Sequence, residues 1–461
     1  MAATAAAQIT GNNYWEAIPP EVAGGPAKPA PPPIIPNVPF APVRNVPVLA
    51  KLKIDKDFKL LGPYAPLWLG TKSVALLGTR RGQVTLLAWD SERLVSPRVV
   101  VDPSTIHGGA ILDMAMSRDG KRVAIAAAAG DNLQVWLRDT QSDAQASIVA
   151  TIDGRCDKAG IAWLDANTVA VGAQMEQSAP PPPAQSPIIM PGQPQQPAAA
   201  PQPSNNLYIA QLGQQKSPAR IDLECLGHVD PTTLTWSPEG SHAVAVSEEQ
   251  GKWMLIDRAK ATCAEIKLPN IVPAKFIDWG DKAQRFLFTA TPARFPDPGH
   301  VGVMEYSLAA HKARLIASPA TAAAYVGGGR IVALGSQRLN AAAMAANPDA
   351  LFPAQIAWVD PGQSELNIVP TGFASSATEL LHAHLVYSAA KGLLATAFQT
   401  PNPKGEFSVL MWISAVAHSG GVLGTGKMGT MLLSWSPDGS RLAVLAGLPD
   451  HPTLAIVAAP Q

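Results

Sequence analysis

One short motif recurs along this chain and constrains its fold more than any other feature. Residues 435–444 read WSPDGSRLAV, and residues 236–246 read WSPEGSHAVAV. In both copies an aromatic residue precedes a turn containing Pro and Gly, and a pair of apolar residues begins seven positions after the aromatic residue. This order is typical of two antiparallel strands joined by a tight turn. A motif that recurs at a steady spacing predicts a fold made of one repeated unit.

The motif occurs eight times, each copy marked by one anchor residue. The anchors are Trp68, Met116, Trp163, Trp236, Trp279, Tyr325, Tyr387 and Trp435. Five of the seven successive spacings agree to within a few residues, and the two longer ones, which end at Trp236 and at Tyr387, contain insertions. Each repeat also holds two further β-like runs. The first of these often has a Trp near its end, as in NLQVWLRD at 132–139. Four strands with this period are typical of a β-propeller blade.

The last repeat lacks a fourth strand, and a spare strand precedes the first repeat. The segment KLKID, 51–55, resembles the fourth strands of the other repeats, here named strands D. Pairing it with the third strand of the last repeat, here named strand C, would remove two open sheet edges. We therefore predict an all-β fold, a single β-propeller over 50–461 with eight four-stranded blades, closed by an N-terminal velcro strand. Seven blades is the alternative, if the repeat at Trp163 or Tyr325 is not a full blade.

Two segments rich in proline interrupt this pattern. Residues 1–49 are predicted to form a Pro/Ala-rich extended or disordered N-terminal arm, and 178–206 a Pro-rich disordered loop insertion in blade three. A short helix is predicted at 339–347, LNAAAMAAN.

The motif copies carry a family resemblance. WSPDGSRLAV, WSPEGSHAVAV and MSRDGKRVAI resemble the WD40-like blades of TolB-type bacterial propellers, and the strand endings VWLRD and AWD resemble those of eukaryotic WD repeats. The resemblance covers 50–461 and implies a fold more strongly than a function. Two departures limit it. The Gly-His pair of WD repeats occurs once, at Gly227–His228, and the N-terminal α/β domain of TolB has no counterpart.

Composition excludes several classes of partner. Lys and Arg total 35, as do Asp and Glu, so no net charge favours nucleic acid or an anionic membrane surface. The longest wholly apolar run, 123–129, is far shorter than the ~20 residues of a membrane-spanning helix. Without a basic, apolar leader the chain as written is expected in the cytoplasm, and the bacterial periplasm or cell envelope remains the alternative.

Three cysteines, Cys156, Cys225 and Cys263, are too few for a disulfide framework and lack metal-site spacing. They are expected as buried thiols. One Cys156–Cys225 bridge stays open, because both residues precede an inner strand of adjacent repeats.

Enzyme signatures are missing from the sequence. A prolyl-oligopeptidase would need a G-x-S-x-G elbow and a hydrolase domain, and the sialidase and quinoprotein repeats are also missing. We therefore expect a protein that is not an enzyme and needs no cofactor. The alternative is a small-ligand or metal-binding or hydrolytic propeller using the central channel. Its weak metal candidates are His382 and His384, predicted on one face of an inner strand.

The loops between the second and third strands of each blade, strands B and C, vary most. Long ones are predicted at 178–206, 291–300, 336–353, 399–406 and 448–452. In a propeller all B–C loops leave the same face, and loops on a rigid scaffold concentrate binding residues. We predict a scaffold that binds protein partners there, as a subunit of a larger complex. The candidate contact residues are Arg294, Phe295, Arg338, Leu351, Phe352 and Lys404.

Overall fold

A computed structural model of the chain describes most of the repeat region. The described residues are 48–61, 64–107, 109–142, 145–176, 203–213, 217–247, 252–280, 283–294, 300–336, 352–363, 367–402, 405–415, 420–426, 431–447 and 452–460. Within them, 33 strands form eight sheets.

The strands follow one another in chain order, preceded by β1 (Val48–Lys53). Blade one contains β2 (Phe58–Leu60), β3 (Leu67–Leu69), β4 (Ser73–Arg80), β5 (Gln83–Asp90) and β6 (Arg98–Val101). Blade two contains β7 (Ala110–Met116), β8 (Arg122–Ala129), β9 (Asn132–Asp139) and β10 (Ser147–Asp153). Blade three contains β11 (Cys156–Asp165), β12 (Thr168–Glu176), β13 (Pro203–Gln211) and β14 (Ala219–Ile221). Blade four contains β15 (Thr235–Trp236), β16 (His242–Val246), β17 (Trp253–Asp257) and β18 (Thr262–Glu265).

The remaining blades have the same order. Blade five contains β19 (Ile271–Trp279), β20 (Arg285–Pro292), β21 (Gly302–Ser307) and β22 (Lys312–Ala317). Blade six contains β23 (Ala320–Val326), β24 (Arg330–Ser336), β25 (Phe352–Val359) and β26 (Asn367–Ser375). Blade seven contains β27 (His384–Ser388), β28 (Leu393–Asn402), β29 (Gly405–Ser414) and β30 (Gly420–Gly426). Blade eight contains β31 (Met431–Trp435), β32 (Arg441–Ala446) and β33 (Thr453–Ala458).

The fold is an all-β propeller with eight blades, as the repeat predicted, and not the alternative with seven. Every anchor residue lies in the first strand, strand A, of its blade. The repeats at Trp163 and Tyr325 are full four-stranded sheets, β11 to β14 and β23 to β26. In blade one, strand A is divided into β2 and β3, which both pair with β4.

The fourth strand of blade eight comes from the start of the described chain. The sheet order is β1, β33, β32, β31, with Lys51 opposite Ala455 in the antiparallel β1–β33 pair. The pairing predicted for 51–55 therefore occurs, with the strand beginning three residues nearer the N-terminus than expected.

The chain divides into two compact units. Val101–Ile266 forms one unit, with blades two, three and four. Lys267–Gln461 and the residues up to Val100 form the other, with blades one, five, six, seven and eight. In both units the B strands are buried on both faces, so they read as continuous apolar runs, as in RVAIAAAA of β8 and RLAVLA of β32.

The repeated Ser-x-Asp-Gly turn is held by its own side chains. Ser117 Oγ donates to Asp119 Oδ1 at 2.7 Å and accepts from the Arg122 N–H at 2.9 Å. The hydrogen bond from Ser117 is the main cause that lowers the pKa of Asp119. Gly120 follows with a φ of 68°, which glycine adopts without steric cost. The turn of blade eight repeats the arrangement with Ser436 and Asp438, so these carboxylates stabilise turns.

The expectation of buried thiols is confirmed for Cys156 and was wrong for Cys225 and Cys263, and the bridge left open between Cys156 and Cys225 does not form. Cys225 is bonded to Cys263, with 6.1 Å between their Cα atoms, and no bond joins Cys156 to Cys225. Cys225 lies in a 3₁₀ turn, Glu224–Gly227, that packs beside β18, which carries Cys263. Cys156 begins β11 and is a buried free thiol, packed in a core cluster with Ala159.

Four of the predicted loops have other bounds in the structure. β20 extends through Pro292 and β24 through Ser336, and β25 begins at Phe352, so the predicted loops 291–300 and 336–353 are shorter than expected.

The other two lie in blades three and seven. β13 begins at Pro203, so the last four residues of the predicted segment 178–206 belong to a strand. In blade seven the predicted loop 399–406 is largely strand, because β28 and β29 stay paired as far as Asn402 and Gly405. The N-terminal arm up to residue 47 and the helix predicted at 339–347 lie outside the described residues.

The disulfide predicts a thiol count. Protein denatured without reductant should react with a thiol reagent at one position, Cys156, and denatured, reduced protein at three. The bonded cysteines are 38 residues apart in the chain, so reduction should lower the free energy of unfolding by about 4 kcal/mol. Mass-tag counting and urea denaturation with and without dithiothreitol measure these effects. Three reactive thiols before reduction, or equal dithiothreitol effects on wild type and a Cys225→Ala/Cys263→Ala variant, would contradict the pairing.

Candidate functional site

The predicted contact residues of the B–C loops are only partly described. Arg294 is exposed just after β20, and Phe352 is the first residue of β25. Phe295, Arg338, Leu351 and Lys404 lie outside the described residues. Their predicted contact role therefore stays a prediction.

The strand bounds nevertheless define how the blade connections differ. All eight A–B connections have two to five residues. B–C connections range from the tight turn 81–82 in blade one to the long segments 337–351 in blade six and 177–202 in blade three. Insertions between the first three strands of a blade are therefore concentrated in B–C connections.

The hypothesis that His382 and His384 share one strand face was wrong. β27 begins at His384. His382 is exposed in the turn after the short helix Ala377–Leu380, and its N–H donates to the Glu379 carbonyl at 3.2 Å. Among the described residues, no group of three His, Cys, Asp or Glu side chains has the arrangement of a metal site.

His384 instead joins blade seven to blade eight. Its Nδ1 accepts a hydrogen bond from the Leu433 N–H at 3.0 Å. Asp113 makes the same link between blades two and three, where its Oδ2 accepts from the Ile161 N–H at 2.8 Å. Both side chains stand three residues before an anchor, and both donors stand two residues before the next anchor. A polar residue three positions before an anchor can therefore link two strands A.

Burial favours the neutral forms of both groups. Burial is the main cause that lowers the pKa of His384 to about 4, and the Lys275 ammonium lowers it further. Burial likewise raises the pKa of Asp113. Because Nδ1 of His384 accepts a hydrogen bond, the neutral ring carries its proton on Nε2.

The indole anchors form a second repeated link. Trp163 Nε1 donates to the Ala115 carbonyl at 2.9 Å, and Trp435 Nε1 donates to the Val386 carbonyl at 3.3 Å. Trp68 Nε1 donates to the Ser434 carbonyl at 3.0 Å. Each acceptor stands one residue before the anchor of the adjacent blade. These tryptophans therefore hold adjacent blades together.

Four adjacent strands A line a half-open cavity of about 480 Å³. β19, β23, β27 and β31 supply its walls. The polar residues that line it are Lys275, Asp278, Thr321, Tyr325, His384, Tyr387 and Ser434. Its volume lies in the range of small-molecule sites, about 300–1,000 Å³.

Several of these polar groups are occupied by the protein itself. The Tyr325 hydroxyl donates to buried Glu305 at 3.2 Å, and burial is the main cause that raises the pKa of Tyr325. Glu305 also pairs with Arg314 at 2.6 Å. Asp278 Oδ1 accepts from the Trp279 N–H at 2.8 Å. Lys275 is exposed, and none of the described carboxylates lies within ion-pair distance of it.

Sequence reasoning missed Lys275 and the links made by Asp113 and His384. Lys275 belongs to no motif, because a single lysine in a strand is usually a solvated side chain. A signal for the links was present. Asp113 and His384 share one phase relative to their anchors, and comparing repeats position by position would have identified them.

The eight four-stranded sheets define this protein as a β-propeller, and a comparison with protein families agrees with that fold. A family model described as the lipoprotein LpqB β-propeller domain matches residues 73–215, which is less than half of the chain. The resemblance to WD40-like and TolB-type propellers is thereby confirmed as a likeness of fold. No curated protein matched the chain in a sequence search.

Two solved structures are similar at low identity. A prolyl endopeptidase is 14% identical, with a TM-score of 0.44, over 85% of this chain and 55% of that chain. The chain thus spans about half the length of that enzyme. The β-propeller domain of Cps50 (Swd1) from Myceliophteria thermophila is 12% identical, with a TM-score of 0.40, over 89% of this chain and 98% of that one.

Every helix of the described residues is too short or too polar to span a lipid bilayer.

The indole link can be isolated with two tryptophans of one unit. Trp163 donates to Ala115, whereas Trp136 Nε1 is buried without a partner among the described residues. Trp163→Phe should therefore lower the free energy of unfolding by about 1 kcal/mol more than Trp136→Phe, because only the former leaves a carbonyl unpaired. Urea denaturation of both variants measures the difference. Equal losses would show that the indole N–H contributes nothing.

His384 predicts a pH dependence of stability. In the unfolded chain the His384 ring takes up a proton below about pH 6.5, and in the native protein only below about pH 4. The free energy of unfolding therefore falls as the pH is lowered from about 6.5 to about 4. Its contribution is up to about 3 kcal/mol. His384→Asn keeps an acceptor for the Leu433 N–H and cannot titrate, so its stability should fall less between about pH 6.5 and pH 4. Urea denaturation at several pH values tests this, with exposed His382→Asn as control. A profile of His384→Asn that matches wild type would refute it.

Proposed function

We propose that this protein is a non-enzymatic β-propeller scaffold of the bacterial cell envelope, which binds a protein partner through its long B–C connections. The observation that carries the proposal is the difference between its blade connections. A–B connections never exceed five residues, whereas the B–C connections of blades six and three extend over 337–351 and 177–202. Stable blades do not require long B–C connections. The additional residues in this one type of connection therefore suit a separate role, such as binding.

The chemistry of the two long insertions suits protein contacts. The connection in blade three holds the run APPPPAQSPIIMPGQPQQP, whose proline content favours an extended chain that loses little conformational entropy on binding. The connection in blade six holds Arg338 and Leu351, and Phe352 follows it directly. Arginine and large apolar residues are typical anchors of protein interfaces. Exposed Arg294 in blade five belongs to the same type of connection.

Four of the described carboxylates have roles in holding the fold, so these four are not candidates for the paired acids of a hydrolase. Asp119 and Asp438 make turn hydrogen bonds, and Asp113 makes a link between blades. Glu305 is paired with Arg314. A glycosidase or aspartic protease would need two carboxylates facing one reaction site, and none of these four side chains is free for that role.

Two observations favour the cell envelope over the cytoplasm. The Cys225–Cys263 disulfide is the type of bond that persists in oxidising compartments. The matching family model is named after a lipoprotein, LpqB, and lipoproteins are anchored to a membrane surface by their acyl chains. The thiol count predicted above also tests this location when the protein is isolated from its native cells under alkylating conditions. Three reduced thiols in that sample would contradict an envelope location.

The scaffold role predicts that partners depend on the B–C insertions. Two variants shorten them separately, one replacing 178–202 and one replacing 338–350 by a short Gly-Ser linker. We expect at least one variant to lose partners that co-purify with the intact protein from native cells, because the binding groups lie on the removed segment. Quantitative mass spectrometry of the purified complexes measures the loss, and the purified partner then confirms direct binding.

A matched control changes a different type of connection. Arg118→Ser/Lys121→Ser alters an exposed A–B turn in blade two while leaving Ser117 and Asp119 to hold it. This variant should keep every partner. If both shortened variants melt at the wild-type temperature and also keep every partner, the proposed binding role of the B–C connections is wrong.

A further inference from the structure

The cavity lined by β19, β23, β27 and β31 has the features of a small-molecule site, and it is independent of the B–C connections. Four inner strands of consecutive blades form its walls, and strands hold side chains more rigidly than loops do. Its polar groups are not all used by the fold. Two of them, Lys275 and His384, have hydrogen-bonding capacity that none of the described residues takes up.

Lys275 gives the cavity a positive charge. It stands on β19, and its ammonium acts on His384, which stands on β27 two blades further along the chain. None of the described carboxylates pairs with it. A lysine held in a concave site without a carboxylate partner favours an anionic ligand.

His384 adds a neutral donor beside that charge. Its Nδ1 is fixed by the Leu433 N–H, which places the remaining proton on Nε2 and fixes the ring orientation. No described residue accepts a hydrogen bond from Nε2. Tyr387 stands three residues further along β27, and its hydroxyl accepts from the Gly327 N–H of blade six at 3.4 Å, so it faces away from the His384 ring, which is bonded to blade eight. A cation and one neutral donor can bind the two oxygens of one carboxylate.

The surface of the cavity is more polar than apolar, and its apolar part comes from Phe276, Ala322, Ala324, Leu433 and Trp435. These residues would contact the organic body attached to the charged group.

The charges of the site distinguish among anions. Lys275 is the one cationic side chain among the described residues of the cavity wall, and Asp278 contributes a carboxylate to the same wall. A phosphate dianion would need a second cation and would be repelled by Asp278. We propose that this cavity binds a small organic monocarboxylate, which Lys275 pairs with and which His384 Nε2 orients.

The test is calorimetric titration of the full chain with defined probes. Benzoate and 3-phenylpropionate present a carboxylate on an apolar body, benzamide is the neutral counterpart, and phenyl phosphate carries the dianion. We expect both carboxylates to bind, and benzamide and phenyl phosphate to bind at least about tenfold more weakly. Lys275→Met should weaken benzoate at least about tenfold. Lys312→Met, which removes an exposed lysine from outer strand β22, should bind benzoate as wild type does.

Three results would overturn the proposal. The first is that neither carboxylate binds at concentrations up to about 10 mM. The second is that Lys275→Met binds benzoate as tightly as Lys312→Met does. The third is that phenyl phosphate binds more tightly than benzoate, which would assign the cavity to another class of anion. Thermal melting of each variant verifies its folding, and Lys275→Gln replaces Lys275→Met if that variant does not fold. Loss of partners from the B–C variants would not affect any of these results.

Discussion

The architecture depends on one repeated interaction, the hydrogen bond from an anchor indole to the backbone of the adjacent strand A. A four-stranded sheet that buries both faces of its central strands cannot be stable alone. It needs a neighbour whose position is fixed, and the indole of Trp163 or Trp435 fixes it by reaching the carbonyl one residue before the neighbouring anchor. The side chains of Asp113 and His384 add a second bond between strands A. These bonds set the spacing of the inner strands that they join.

The same strand positions also contribute to the cavity wall. In blades five and six the position three residues before the anchor holds Phe276 and Ala322, which have no polar group to link neighbouring strands. Both residues line the cavity, and Lys275 stands beside Phe276. At these two positions of the cavity wall the second link is therefore missing. His384 takes part in both the link and the cavity. Its Nδ1 accepts the hydrogen bond that links the two strands, and its Nε2 is left for a ligand.

The sequence predicted the repeated features well and the single ones poorly. All eight anchors and the pairing of an N-terminal strand with the last strand C followed from the period, because a repeated pattern averages out local exceptions. The disulfide could not be predicted from the repeat. Cys225 lies in a turn that is not part of the repeated pattern, and Cys263 lies on an outer strand. His382 was misplaced because the short helix Ala377–Leu380 delays the start of β27. In blade seven, strand pairing extends through Pro401, a residue that composition favours in a loop.

The pairing of β1 with β33 has a consequence for synthesis on the ribosome. β1 ends at Lys53, and its partner begins at Thr453, so β1 leaves the ribosome about 400 residues before the strand that will hold it. During that interval it is a lone strand with no edge to join. Its sequence, VLAKLK, places two exposed lysines along it, and lysine on an unpaired strand discourages attachment to foreign edges. The charge on β1 therefore disfavours pairing with foreign edges until β33 has been made.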